Sequence, residues 1–441
     1  MARHFLIVWI VYWLAVALMP VHSIYPATGP AFVLQLVFVL LTLAAFAVTH
    51  AYLGCPPRLP AGRFDLRAAP QLARLALVMS LIGLLCVLYD KIVVQGIDFS
   101  QGIVAAREQW RRLGEERDGA ASSVFSVLGY LLGSGYFVAA VLAATQIRTM
   151  TVRQRLRTLL AAAVLLLVGS AISGGRSSVL LLAAMVLGGT AARGSLSLRE
   201  LFPRRRQRRA LMVVALVAAG YTVNVFYLRA AASDLSAQRY ATGFLANLGL
   251  QLDGWYRSLL DGSALSSLSA MVVLSVSYVT HSFATTAALV DLPPEGKSVL
   301  FSHVAEILAK IGVMAYPDEN WYLAGRFPSV PGALWQLGGP AAVLAGSLLL
   351  GAAAAAARAW TMLRPAQLLP LGVFVMMYAV LVLTPALLAV DFLSFPFIAV
   401  AFVLLALADR LLRRRRAARS RRVPTGTAAM IAVSNKRVAR A

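Results

Sequence analysis

Charge is scarce in this chain. Asp, Glu, Lys and Arg make up 13% of its 441 residues, against the ~25% usual in soluble domains. Acids number only 18, and only 4 of the 41 basic residues are lysine. Cysteine is nearly absent: Cys55 falls in a basic loop and Cys86 inside an apolar run, which excludes a disulfide framework. No HExxH, paired CxxC, P-loop or dinucleotide glycine motif occurs, so no motif indicates a metal centre or nucleotide site. An Asp-x-Asp pair is also missing, so a divalent ion bridging a diphosphate is not indicated. A Ser-His-Asp set has no elbow motif behind it.

What is present is apolar length. Hydrophobic residues reach 60%, gathered into repeated runs of about 20, the signature of membrane-spanning helices. The expected fold is all-α and polytopic, with ten spans near 5–21, 31–53, 74–94, 122–147, 158–173, 176–192, 210–228, 332–357, 366–387 and 393–409. On this threading 29 of the 41 basic residues fall on one side and 15 of the 18 acids on the other. The basic side is cytoplasmic by the positive-inside rule, with both termini inside. Residues 16–24 offer no small-x-small cleavage site, so the first run reads as an uncleaved span. The net charge of +23 is thus a topology signal that meets anionic head groups, and no nucleic-acid partner is expected. Residues 1–410 form one membrane domain without an internal repeat, and 411–441 a basic, disordered tail.

Two outer segments stand out. Residues 95–121 include a charged, helix-compatible stretch from Ile103 to Arg117, with Trp110 available to the interface. The larger runs from Arg229 to Pro331, and within it Ser263 to Val290 carries no charge. Counting that stretch as a simple span would put the eleven-base tail outside. It is therefore expected to insert from, or re-enter at, the outer side against protein; a pairing in which 266–290 spans stays open. A further interfacial helix is expected over Val299 to Met314.

Several residues in these outer regions suit anion chemistry. Ser173-Gly174-Gly175-Arg176-Ser177-Ser178 joins two apolar runs, placing a guanidinium beside the positive end of a helix, where phosphate is favoured. Arg229, Arg239, Arg257 and Arg326 follow on the same side, near Tyr240, Trp255 and Tyr256. A planar guanidinium fork matches phosphate oxygens, and aromatic faces suit sugar rings. The plainer reading pairs each arginine with Asp234, Asp253 or Asp261. Ser277, Tyr278, His281, Ser282 and Thr285 share a helical face. His281 is a candidate general base or sugar ligand, or else a packing histidine; His303 and Glu306 are weaker candidates. Asp90 and Lys91 read most simply as an interfacial pair.

Three strings resemble the integral-membrane O-antigen polymerase and oligosaccharide repeat-unit polymerase family. They are Ser-Gly-Gly-Arg-Ser-Ser at 173–178, Tyr-Val-Thr-His-Ser-Phe at 278–283, and Pro-Ser-Val-Pro-Gly-Ala-Leu-Trp-Gln-Leu-Gly-Gly-Pro at 328–340. Gly175, where the family often has Ser, and Pro340 within the glycine-rich stretch are departures. The resemblance implies a metal-independent glycosyltransferase of the bacterial inner membrane, without cofactor. It would join polyprenyl-diphosphate-linked oligosaccharides at the periplasmic face, alongside chain-length regulator and flippase proteins. Arg176, His281 and, less favoured, Glu306 become its catalytic residues, with Arg229, Arg239, Arg257, Arg326 and Tyr278 as substrate contacts. An O-antigen ligase-like enzyme is a close relative of this reading. A flippase for the same lipid is the rival class, though such transporters tend to show repeats around a midplane site.

Overall fold

A computed structural model describes residues 1–54, 66–100, 102–116, 122–146, 148–173, 177–193, 205–260, 266–294, 300, 304–305, 308 and 327–422. The described residues are mostly helical. In order come α1 (Ala2–Leu18), strand β1 (Val21–Ser23), α2 (Thr28–Tyr52), α3 (Ala69–Tyr89) with a π-helical extension Asp90–Val94, α4 (Ile103–Glu115), α5 (Val124–Gly133), α6 (Gly135–Thr145), α7 (Val152–Ser173) and α8 (Ser177–Ala192). The second half contains α9 (Arg205–Ala232), α10 (Ala237–Asn247), strand β2 (Leu250–Leu252), α11 (Gly254–Leu260), α12 (Ser266–Thr280), α13 (Ser282–Val290), α14 (Val330–Leu363), α15 (Leu368–Leu383) and α16 (Ser394–Arg422). Among the described residues, five helical stretches are long and apolar enough to cross a membrane: α2, α3 with its extension, α5 with α6, α14 and α16 up to Arg414. The pair α12–α13, bent by 50°, makes a sixth if it is one broken span. The protein is therefore an all-α membrane protein. Arg176, Glu306 and Arg326 lie outside the described residues, as do His303 and all of the tail beyond Arg422.

Glycine sets how closely the spans approach, because packing in lipid relies on backbone contact rather than on expelling water. A Cβ at Gly351 of α14 would strike the Thr42 carbonyl and lie 3.0 Å from Phe46 N of α2. A Cβ at Gly83 of α3 would meet the backbone of Gly133 and Gly129 of α5. α14 is itself two pieces. Gly339 has φ 61 and ψ −147, open only to glycine, and Pro340 lacks the amide that would continue the ladder. The short first piece, from Val330 to Gln336, is buried apart from Trp335.

On the expected outer side, β1 and β2 pair antiparallel, Val21 opposite Leu252 and Ser23 opposite Leu250. This ribbon ties the first outer loop to the long 229–331 segment. A second apolar cluster, with Phe226, Leu245, Leu252, Tyr256, Met271 and Leu274 at its centre, sits beneath it.

Packing this tight predicts an asymmetry. Gly351→Val should destabilise the purified protein by about 1–3 kcal/mol through overpacking, read as a lower thermal midpoint in detergent. Gly29→Ala, whose Cβ meets nothing within 4 Å, should be neutral. Equal midpoints for the two variants would contradict the close α2–α14 contact.

Candidate functional site

The charge-free stretch folds as two helices that meet at His281, and the break is held by side chains. Ending α12 leaves carbonyls without helical partners. His281 Nδ1 lies 2.7 Å from Tyr278 O and so donates to it, while Phe327 N donates to His281 Nε2 at 3.2 Å. That fixes the neutral Nδ1–H tautomer and engages both ring nitrogens. Tyr12 OH of α1 lies 3.2 Å from Thr280 O and 2.5 Å from Ser282 Oγ, and accepts from Phe283 N. Ser282 Oγ donates onward to Pro385 O at 2.6 Å.

One proton per hydroxyl gives the neighbouring chain of bonds a direction. Thr286 Oγ1 donates to Ser282 O at 2.7 Å, so at its 2.7 Å contact with Ser329 Oγ it accepts. Ser329 in turn accepts from Gln35 Nε2 at 3.5 Å, and Gln35 Oε1 accepts from Trp13 Nε1 at 3.0 Å. The relay runs Trp13, Gln35, Ser329, Thr286, Ser282, joining α1, α2, α13 and the start of α14. Alongside it, Val330 N bonds Thr384 O at 3.0 Å, and Trp9 Nε1 donates to Thr384 Oγ1 at 3.0 Å. Some polar capacity stays unspent: among the described residues Ser277 Oγ, Thr285 Oγ1, Trp335 Nε1 and Gln336 Oε1 are buried without a hydrogen-bond partner.

The expected site residues are distributed as follows. His281 is fully buried and joined to backbone at both nitrogens. Tyr278 packs its ring with Phe226, Phe244 and His281. Arg229 is half-buried at the end of α9, while Arg239 on α10 and Arg257 on α11 are exposed. None of the three has an ion-pair partner among the described residues, and Asp253 is taken by His22 Nδ1 at 2.7 Å. The polar stripe is not one straight face, because the bend at His281 brings Thr286 into the relay and leaves Thr285 outside it. Asp90 and Lys91 turn apart: Asp90 accepts from Ser122 at 2.7 Å and from Ser123 and Gln95. Lys91 donates to Ile172 O at 2.9 Å and sits 3.6 Å over the Trp110 ring, close along the chain to the 174–176 connector.

Tyr12, Trp13, Gln35, Thr286 and Thr384 escaped the sequence reading. Gln35 carried a usable signal, an amide inside an apolar run, where an unpartnered polar group is costly. The others look like ordinary span residues until the breaks are placed beside them. No protein-family model, curated protein or solved structure matches the chain.

His281→Ala should cost about 1–3 kcal/mol, since it strands a buried carbonyl and a buried amide. Ser329→Ala should cost about 1 kcal/mol, and Arg239→Ala almost nothing. Thermal midpoints of the three variants in one detergent check the order; a His281→Ala protein as stable as wild type would remove the pinned break.

Proposed function

We propose that the chain is a polysaccharide polymerase: a metal-independent glycosyltransferase that joins polyprenyl-diphosphate-linked oligosaccharide units at the outer face of a bacterial inner membrane. In this reading it threads the membrane ten times with both termini cytoplasmic, as the basic loops favour. One observation carries the proposal. Two of the three strings that resemble the polymerase family lie some forty residues apart, yet each is hydrogen-bonded to a residue next to the other: His281 to Phe327, just before the 328–340 string, and Ser329 to Thr286, three residues after the 278–283 string. A shared buried junction gives those strings a common task.

The chemistry needs three things. The glycosidic bond from the sugar C1 to the diphosphate oxygen breaks, and its electron pair leaves with the lipid diphosphate. Arg176, Arg229, Arg257 and Arg326 would stabilise that developing charge, with Arg239 as a further contact. A hydroxyl oxygen of the incoming unit bonds to C1, and its proton passes to a base, His281 or Glu306. Nε2 is the atom of His281 that can take it, so base catalysis there requires the Phe327 amide to withdraw. Exposed Trp255 and half-buried Tyr240, next to Arg257 and Arg239, offer stacking faces for the sugars.

Surface polysaccharide from a deletion strain checks this. Complementation with the wild-type gene should restore long chains, and Arg176→Ala should leave single-unit material with a rate loss on the order of 10²-fold, as for removal of one charge-stabilising donor. If lipid-linked units accumulate inside and none reaches the outer face, the flippase reading replaces it. If long chains form but are not attached to their acceptor, the ligase-like reading does.

A further inference from the structure

Away from the pinned break, α3, α5, α6, α7, α8 and α16 enclose a cleft of about 120 Å³. Its walls mix apolar groups, Leu84, Val87 and Leu165, with the hydroxyls of Ser134, Tyr136, Ser170 and Ser178. Among the described residues that line it, none is charged. Most of the hydroxyls are already committed. Ser80 donates to Ala76 O at 2.9 Å, Ser134 to Tyr130 O at 3.4 Å, and Tyr136 is bonded to Ser178. Ser170 Oγ is buried without a hydrogen-bond partner among the described residues. Glycine makes the space: a Cβ added to Gly133 or Gly169, both on the wall, meets no atom within 4 Å.

The cleft borders the lipid-covered surface. On α3, Leu84 lines it while Leu85 beside it is 56% exposed; on α7, Gly169 lines it while Val168 is 39% exposed. Its upper end, at Val87, lies one turn below Asp90 and Lys91, and Ser170 and Ser178 flank the 174–176 connector. A ligand that fits is neutral within the cleft, mostly apolar, and bears an oxygen able to meet Ser170. It arrives from the bilayer and has its polar end at the outer surface. A fully apolar chain would leave Ser170 unmet, and a free sugar would bury too many hydroxyls against leucine and valine.

We propose that this cleft seats the oxygen-bearing end of a single lipid chain, the first carbons and the head-group oxygen, with the head group emerging at the level of Lys91. Such an end belongs both to a polyprenyl phosphate and to a glycerophospholipid. The proposal is independent of the polymerase reading: it is read by lipid retention, whereas that reading is read by polysaccharide length.

The test is native mass spectrometry of the full-length chain purified in mild detergent, alone and after addition of polyprenyl phosphate or phosphatidylglycerol. Wild type should hold one lipid. Gly133→Leu, which fills the cleft without striking backbone, should bind it about ten-fold more weakly, and Ser170→Leu should do the same; Gly29→Leu should match wild type. The added lipid that saturates at one copy identifies the source. Equal retention by wild type and both cleft variants would overturn the proposal, as would a wild-type protein that holds neither lipid. Should Gly133→Leu fail to elute as a folded species, Ser170→Leu alone decides.

Discussion

A buried backbone amide or carbonyl has no water to turn to, and this chain breaks its helices among buried side chains more than once. An unmet group costs several kcal/mol in that setting. The break at His281, the start of α14 at Val330 and the end of α15 at Thr384 are brought together so that each meets the others' needs. Tyr278 O is met by His281, Pro385 O by Ser282, which itself accepts from Tyr12, and Thr384 O by the Val330 amide. Each of these breaks is buried against partners that the others supply. That mutual dependence explains why α1, otherwise a short apolar helix, carries Trp9, Tyr12 and Trp13 on the side facing the junction.

The same constraint separates the protein's two polar regions in character. At the junction, polar groups are spent on the backbone and the result is rigid. At the C-terminal end of α3, the π-helical turn instead buries a carboxylate and an ammonium, each with several partners: Ser122, Ser123 and Gln95 for Asp90, and Ile172 O with Trp110 for Lys91. Buried charge is tolerated only when paired in this way, and π turns are frequent where a helix must present side chains out of register. Lys91 thereby ties α4 to the end of α7, linking the helix before the connector to the amphipathic helix.

How much of this was legible in the sequence depends on where the cause lies. The apolar runs of the five long stretches have a local cause and can be read directly; the kink at Gly339-Pro340 is local too, yet 332–357 reads as one uninterrupted apolar span. The polar stripe around His281 also announced itself, as buried hydroxyls and an imidazole in an uncharged stretch. The bend at His281 did not, because no Gly or Pro stands there; the helix turns where Tyr12 and Phe327 compensate it, and both are remote in sequence. Asp90 and Lys91 are adjacent in the chain and so read as a pair, yet a π-helical turn sends neighbouring side chains to different partners. The cleft was illegible for another reason. Gly133 and Gly169 make space only in relation to helices that happen not to fill it, and a missing side chain has no signature of its own.

Rigidity at the junction bears on what chemistry it could host. Ser277, Thr285, Trp335 and Gln336 keep unspent polar atoms beside a backbone fixed by at least three other elements, so those atoms need little reorganisation to meet a ligand's hydroxyls. A flexible segment could offer the same groups only after losing conformational entropy on binding. His281 belongs to the same set: its Nε2 accepts from the Phe327 amide at 3.2 Å, the longer of the ring's two bonds to backbone. Were that bond to open, Nδ1 would go on holding Tyr278 O.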